Sequence, residues 1–104
     1  MYTRGQFALI GKTTIKALRL YDEMGLLKPE YIDSNNQYKY YSLAQVEEII
    51  SINELKAFGF SLEKIMEIKE RKSSDYLRDC FSKRLAQLDT EIKEANSTKE
   101  SFMT

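Results

Sequence analysis

The stretch Gly11-Lys12-Thr13-Thr14-Ile15-Lys16-Ala17-Leu18-Arg19-Leu20-Tyr21-Asp22-Glu23-Met24-Gly25 decides how the chain is read. Thr13 or Thr14 can cap a helix here, because a threonine hydroxyl accepts from an unpaired amide of the first turn. Ile15, Leu18 and Tyr21 or Asp22 recur at helical spacing, which predicts that Ile15 and Leu18 face inward. Lys16 and Arg19 then point the other way, with Lys12 at the entrance. Gly25 ends the helix as a residue that tolerates positive φ. Just upstream, Thr3 can cap a short segment running through Gly5 and Phe7 to Ile10, which Gly11 stops. Two short helices joined by a tight glycine-containing turn, the second basic on its outer face, read as a helix-turn-helix. A plain helical hairpin is the alternative.

Downstream, Pro29 is the only proline of the chain and forces an extended path after Leu26-Leu27-Lys28. Tyr31-Ile32 and Tyr38-Lys39-Tyr40-Tyr41 favour strands, and the turn formers Asp33-Ser34-Asn35-Asn36-Gln37 lie between them. That predicts a short β-hairpin leaning on the helices, since a two-stranded ribbon is marginal alone. Its exposed tip offers Lys39 and several tyrosines to a phosphate backbone. Ser42 and Gln45 form a capping-box pair before a third helix carrying Leu43, Val46, Ile49, Ile50, Ile52 or Asn53, and Leu55, with Gly59 as its stop. Ser61 caps a fourth, with Leu62, Ile65, Met66 and Ile68 on its buried side, and the polar run from Lys69 to Ser74 ends it.

From Asp75 onward there is neither Gly nor Pro, which permits one helix of up to about 28 residues, roughly 40 Å long. Phe81, Leu85, Leu88, Ile92, Ala95 and Phe102 follow a four-three spacing if Lys99 fills the missing place. A solitary helix has nothing to cover such a stripe, so a coiled coil with a second copy is the economical arrangement. Folding back on the head is the competing one. The fold class expected is mainly α: a winged helix-turn-helix of four helices with a short β-hairpin wing over residues 1–72, then a coiled-coil dimerisation helix over 75–104.

Composition narrows the function classes. The chain has 104 residues, 42% of them hydrophobic, including seven Tyr and five Phe, which supports a packed structure. Net charge is zero. Even so, the only ionised side chains before Asp22 are Arg4, Lys12, Lys16 and Arg19, so the N-terminal part is locally positive. With one cysteine, Cys80, and no histidine, an intrachain disulfide is ruled out and little remains for a zinc site. Cys80 reads as a buried structural thiol. No apolar run approaches the roughly 20 residues of a membrane span and no leader pattern opens the chain, so no membrane partner and a cytoplasmic location are expected. Asp22-Glu23 and Glu47-Glu48 lack a histidine, phosphate loop or nucleophile beside them, so they read as solvated faces and no enzyme is expected.

The run from Thr14 to Pro29, with Gln37-Tyr38-Lys39-Tyr40-Tyr41, the helix from Ser42 to Phe58, and Gly59-Phe60-Ser61-Leu62-Glu63-Lys64-Ile65, resembles MerR-type transcription regulators. The tyrosine-rich wing and the Lys-Ala-Leu-Arg run are most similar to multidrug-responsive members. The resemblance implies a homodimer on a palindromic site in promoter DNA, joined by an antiparallel coiled coil. It also implies RNA polymerase at the same promoter, whose overlong spacer the dimer kinks and untwists when an effector binds. No cofactor is implied. Carried over by position, Thr13, Thr14, Lys16, Arg19 and Tyr21 belong to the helix that enters the major groove, with Arg19 suited to a guanine edge or a phosphate. Tyr38, Lys39 and Tyr40 match the wing, and Lys56 falls where a second, helical wing nears phosphates. Phe81, Leu85, Leu88, Ile92, Ala95 and Phe102 are the dimerisation set.

Three departures stand out. Leu20 replaces a tyrosine that commonly contacts DNA. Arg4 stands where an apolar residue usually packs, implying a shifted first helix or an added phosphate contact. The sequence ends at Thr104, soon after the pairing helix, where multidrug sensors carry a substrate-binding domain, so it is read as a shortened chain or a minimal regulator. The rival function is a DNA-bending architectural or coiled-coil interaction module without effector response.

Overall fold

A computed structural model describes residues 1–103, with side chains through Ala95. In chain order the elements are β1 (Tyr2–Thr3), α1 (Arg4–Ile10), α2 (Ile15–Met24), β2 (Tyr31–Ile32), β3 (Lys39–Tyr41), α3 (Ala44–Ala57), α4 (Leu62–Arg71) and α5 (Ser74–Met103). They divide into two compact units, residues 1–57 and 58–104. By packing, α4 therefore groups with α5.

Local chemistry explains the starts and stops in the first unit. Thr3 caps α1 through a full capping box with Gln6, and the Thr14 hydroxyl accepts from the Ala17 amide to cap α2. Gly25 closes α2 at φ +80°, in the left-handed region expected of a glycine stop. The α1–α2 turn is less expected, because its left-handed residue is Lys12, at φ +52°, whereas Gly11 sits at φ −83°. Gly11 is required for another reason. A Cβ there would lie 2.7 Å from Ile49 Cγ2 and 3.2 Å from the Phe7 carbonyl oxygen. The turn is held by the Asn53 amide of α3, which donates to the Gly11 carbonyl at 2.7 Å.

The hairpin expected from the tyrosine-rich segment forms with β2 against β3, pairing Tyr31 with Tyr40 and Ile32 with Lys39. A further strand, β1, pairs on the other edge with Tyr2 opposite Tyr41, giving a three-stranded antiparallel sheet in the order β1-β3-β2. That third strand supplies what a bare ribbon lacks. The sheet is tied to the core by Tyr41, fully buried and stacked on Phe7 at 4.5 Å between centroids. Leu18, Tyr21, Leu26, Leu27, Ile49, Ile52 and Leu55 are the other large buried side chains of this unit. Ile15, expected to face inward, is instead 43% exposed, and Leu43 and Ile50 of the third helix segment are also exposed. At Ser42 only half of the capping box forms: its amide donates to Gln45 Oε1 at 3.0 Å, while its hydroxyl is buried without a partner.

In the second unit Ser61 caps α4 by accepting from the Lys64 amide. Phe58 and Phe60 meet Phe81 of α5 edge-on, at 5.0 and 5.6 Å. Tyr76 accepts from Lys64 Nζ at 2.9 Å, and Arg71 lies over its ring at 4.2 Å. Cys80 is a free, buried thiol in this contact. Past Phe81 the apolar stripe is open: Leu85 and Ile92 are 53% and 58% exposed, Ala95 is exposed and Leu88 half-buried. The Phe102 side chain lies outside the described residues. No helix among the described residues is long and apolar enough to cross a membrane.

Gly11→Ala should lower stability by about 1–3 kcal/mol, the usual range for overpacking a filled site. A leftward shift of the urea midpoint without loss of cooperativity is the expected outcome.

Candidate nucleic-acid interface

The outer face of α2 presents Lys16 and Arg19, three residues apart, with Lys12 in the turn before it; all three are exposed. Among the described residues none of the three forms an ion pair. Their positive charge is left for solvent or a ligand, which is what a surface meeting phosphates requires. Thr14, also expected in the interface, is exposed, but its hydroxyl is already used as the α2 cap. Thr13 is half-buried beside it.

Arg19 reaches a groove of about 430 Å³ between α2 and the hairpin, lined also by Ile15, Thr3, Arg4, Gly5, Gln37, Tyr38 and Lys39. The groove brings Arg19, Tyr38 and Lys39 together although they lie far apart in sequence. Local hydrogen bonds shape the hairpin tip. Asp33 Oδ1 accepts from the Asn35 amide at 2.8 Å, Asn36 Oδ1 accepts from the Tyr38 amide at 2.9 Å, and Gln37 sits at φ +63°. These turns leave the Tyr38 ring exposed, while Tyr40 packs toward Tyr31 with ring centroids 6.0 Å apart.

Two of the expected contact residues are placed differently. Tyr21 is only 1% exposed, so its ring belongs to the core and cannot lie on the outer face of α2. Its hydroxyl accepts from Lys56 Nζ at 3.1 Å. Lys56, exposed at the end of α3, is thereby tethered to the back of α2. Arg4 opens the first helix and turns inward. Its guanidinium donates to Asp22 Oδ2 at 2.8 Å and to the Tyr41 hydroxyl at 3.2 Å.

Asp22 is the residue that sequence reasoning missed. The same Oδ2 accepts from Lys39 Nζ at 2.8 Å, and Lys28 Nζ lies 3.9 Å from Oδ1. Burial pushes the carboxyl upward, but the hydrogen bonds and charges of Lys39 and Arg4 outweigh it and hold the group below its ordinary value of 3.8. One carboxylate therefore fixes the wing strand to α1 and α2. The available signal was its position, as the first acid after four cations.

Asp22→Asn should cost about 1.5–3 kcal/mol, the range for hydrogen bonds to charged groups, because it leaves two cations without their shared partner. The pH dependence has a definite sign. A carboxylate held below 3.8 adds stability that is complete above that value and is lost as pH falls through the lower native pKa. Urea midpoints followed from pH 7 to about pH 3 should fall less steeply for the Asn variant than for the parent chain.

The matching family description, MerR HTH family regulatory protein, covers residues 2–72. The chain is 35% identical over 69 residues to the multidrug-efflux transporter 1 regulator of Bacillus subtilis, a match over 66% of this chain and 25% of that protein. Among solved structures, the N-terminus of MtaN, the Bacillus subtilis multidrug transporter activator, superimposes with a TM-score of 0.67 at 28% identity, covering 94% of this chain and 97% of that one. EcmrR, in a complex described as EcmrR–DNA in EcmrR-RPo, gives 0.74 at 28% identity over 88% of this chain and 33% of that one. The match thus spans only about a quarter of the length of the multidrug-efflux transporter 1 regulator.

Proposed function

The chain belongs to the MerR family of helix-turn-helix regulatory proteins, and from that premise we propose that it is a sequence-specific transcription regulator. It binds a palindromic promoter site as a homodimer and distorts the duplex there, at a promoter shared with RNA polymerase. Residues 1–72 act as the DNA-binding head and 75–104 as the dimerisation helix. The observation that carries this reading is the set of exposed cations on α2 and the turn before it, Lys12, Lys16 and Arg19, none of them neutralised by an ion pair among the described residues.

In this reading α2 enters the major groove. Arg19 reads a guanine edge or grips a phosphate through its planar fork. Lys12, Lys16 and Thr13 meet the backbone near the helix start, and Tyr38 with the wing holds the flanking phosphates. Lys39 and Lys56 act mainly by position, since Asp22 and Tyr21 already engage their ammonium groups. The open stripe of Leu85, Leu88 and Ile92 pairs with the same stripe of a second copy, and two-fold symmetry of the protein then requires a two-fold site. A cytoplasmic regulator rather than an enzyme fits this reading, as does a part in the control of multidrug transport, for which its relatives are named.

Selection of bound duplexes from a random pool should return a palindrome with fixed half-site spacing; an unenriched pool at low ionic strength would refute the proposal. Arg19→Ala should weaken binding to that palindrome on the order of 100-fold or more, since a dimer loses two such contacts. Its sedimentation as a dimer should be unchanged. Conversely, Leu85→Asp should shift sedimentation toward monomer, because the substitution puts a charge into a paired seam.

A further inference from the structure

We infer that Leu20 is a specificity-determining residue that recognises the methyl group of a thymine on the floor of the major groove, an inference that rests on the DNA binding proposed above. Leu20 is 43% exposed and lies in a shallow depression on α2 lined also by Thr14, Ile15, Lys16, Ala17, Arg19 and Glu23. A single exposed leucine is ordinary on a protein surface. The surroundings of this one are not. Lys16 stands one turn before it and Arg19 beside it, both exposed cations, so the apolar tip is framed by charge that complements a polyanion.

The same surroundings separate backbone from base. Leu20 has no donor for a phosphate oxygen, and the Glu23 carboxylate in the same depression repels one. The remaining partner is a base edge, and the thymine C5-methyl is the one apolar group that the major groove presents. Ile15 also borders this depression, but it lies five residues earlier, turned about 140° around the helix from Leu20, and it borders the groove toward the wing as well.

The test uses the full chain and the palindrome returned by selection, with deoxyuridine replacing each half-site thymidine in turn. At one position per half-site, loss of the methyl should weaken binding of the parent chain about three- to fivefold, the worth of burying one such group. Leu20→Ala should be indifferent to that replacement, whereas Leu20→Met, which keeps an apolar tip, should retain most of the discrimination. Circular dichroism and sedimentation establish that both variants are folded dimers. A half-site without thymine within reach, or a methyl effect equal in all three proteins, overturns the inference while leaving DNA binding intact. Failure to enrich any duplex overturns both.

Discussion

A single carboxylate oxygen, Oδ2 of Asp22, holds Arg4 at the start of α1 and Lys39 in β3, each at 2.8 Å. The wing is too small to fix its own angle. Its strands are two and three residues long, and its tip is polar. A sheet this small depends on what it leans against. The Asp22 bridge acts together with the Phe7–Tyr41 stack behind it, so the apolar and polar restraints converge on neighbouring points of β3. The partly buried carboxylate is tolerable because two cations compensate it. That compensation also decides which cations remain outside. Arg4 and Lys39 are spent on architecture, while Lys12, Lys16 and Arg19 are left on the surface.

Much of the architecture was legible in the residues, and the reasons differ by element. Thr3, Thr14, Gly25 and Ser61 announced helix ends through cap chemistry that acts within three residues, so no tertiary information was needed. Tyr31-Ile32 and Lys39-Tyr40-Tyr41 announced the hairpin by β-propensity around a run of turn formers. Strand β1 was not legible, because two residues carry no period and Tyr2–Thr3 becomes a strand only through its partner. The turn between α1 and α2 was read correctly as a turn for an incomplete reason. Gly11 is demanded by the closeness of Ile49 in α3, and the left-handed backbone falls on Lys12 instead.

The candidate site was legible for charge and less so for direction. Tyr21 shows the difficulty: spacing from Leu18 offered the inward position to it or to Asp22, whereas motif position placed it among contact residues. The structure favours spacing, since an aromatic ring can be wholly buried if its hydroxyl finds a donor, and Lys56 provides one. Ile15 fails in the opposite sense. Its neighbour across the turn is Gly5, within contact distance but without a side chain to lay over it. Periodicity identifies a face, but what stands opposite that face decides whether it is buried. The stripe on α5 obeys the same rule. Phe81 finds Phe58 and Phe60, while Leu85 and Ile92 stay more than half exposed among the described residues.

Net charge is a poor guide to this molecule for a related reason. Sixteen basic and sixteen acidic residues cancel over the whole chain, yet a duplex responds to charge within about a Debye length, near 8–10 Å at ordinary ionic strength. Over that range α2 and its preceding turn offer three exposed cations. Asp22 points inward, so Glu23 is the acid of α2 that remains exposed. Glu23 follows the cations along the helix, so attraction to phosphate is strongest at the N-terminal end of α2 and fades toward its C-terminus. A helix charged in this way favours entering a groove with its first turns. The contacts made by its later turns are then left to shape and apolar complementarity.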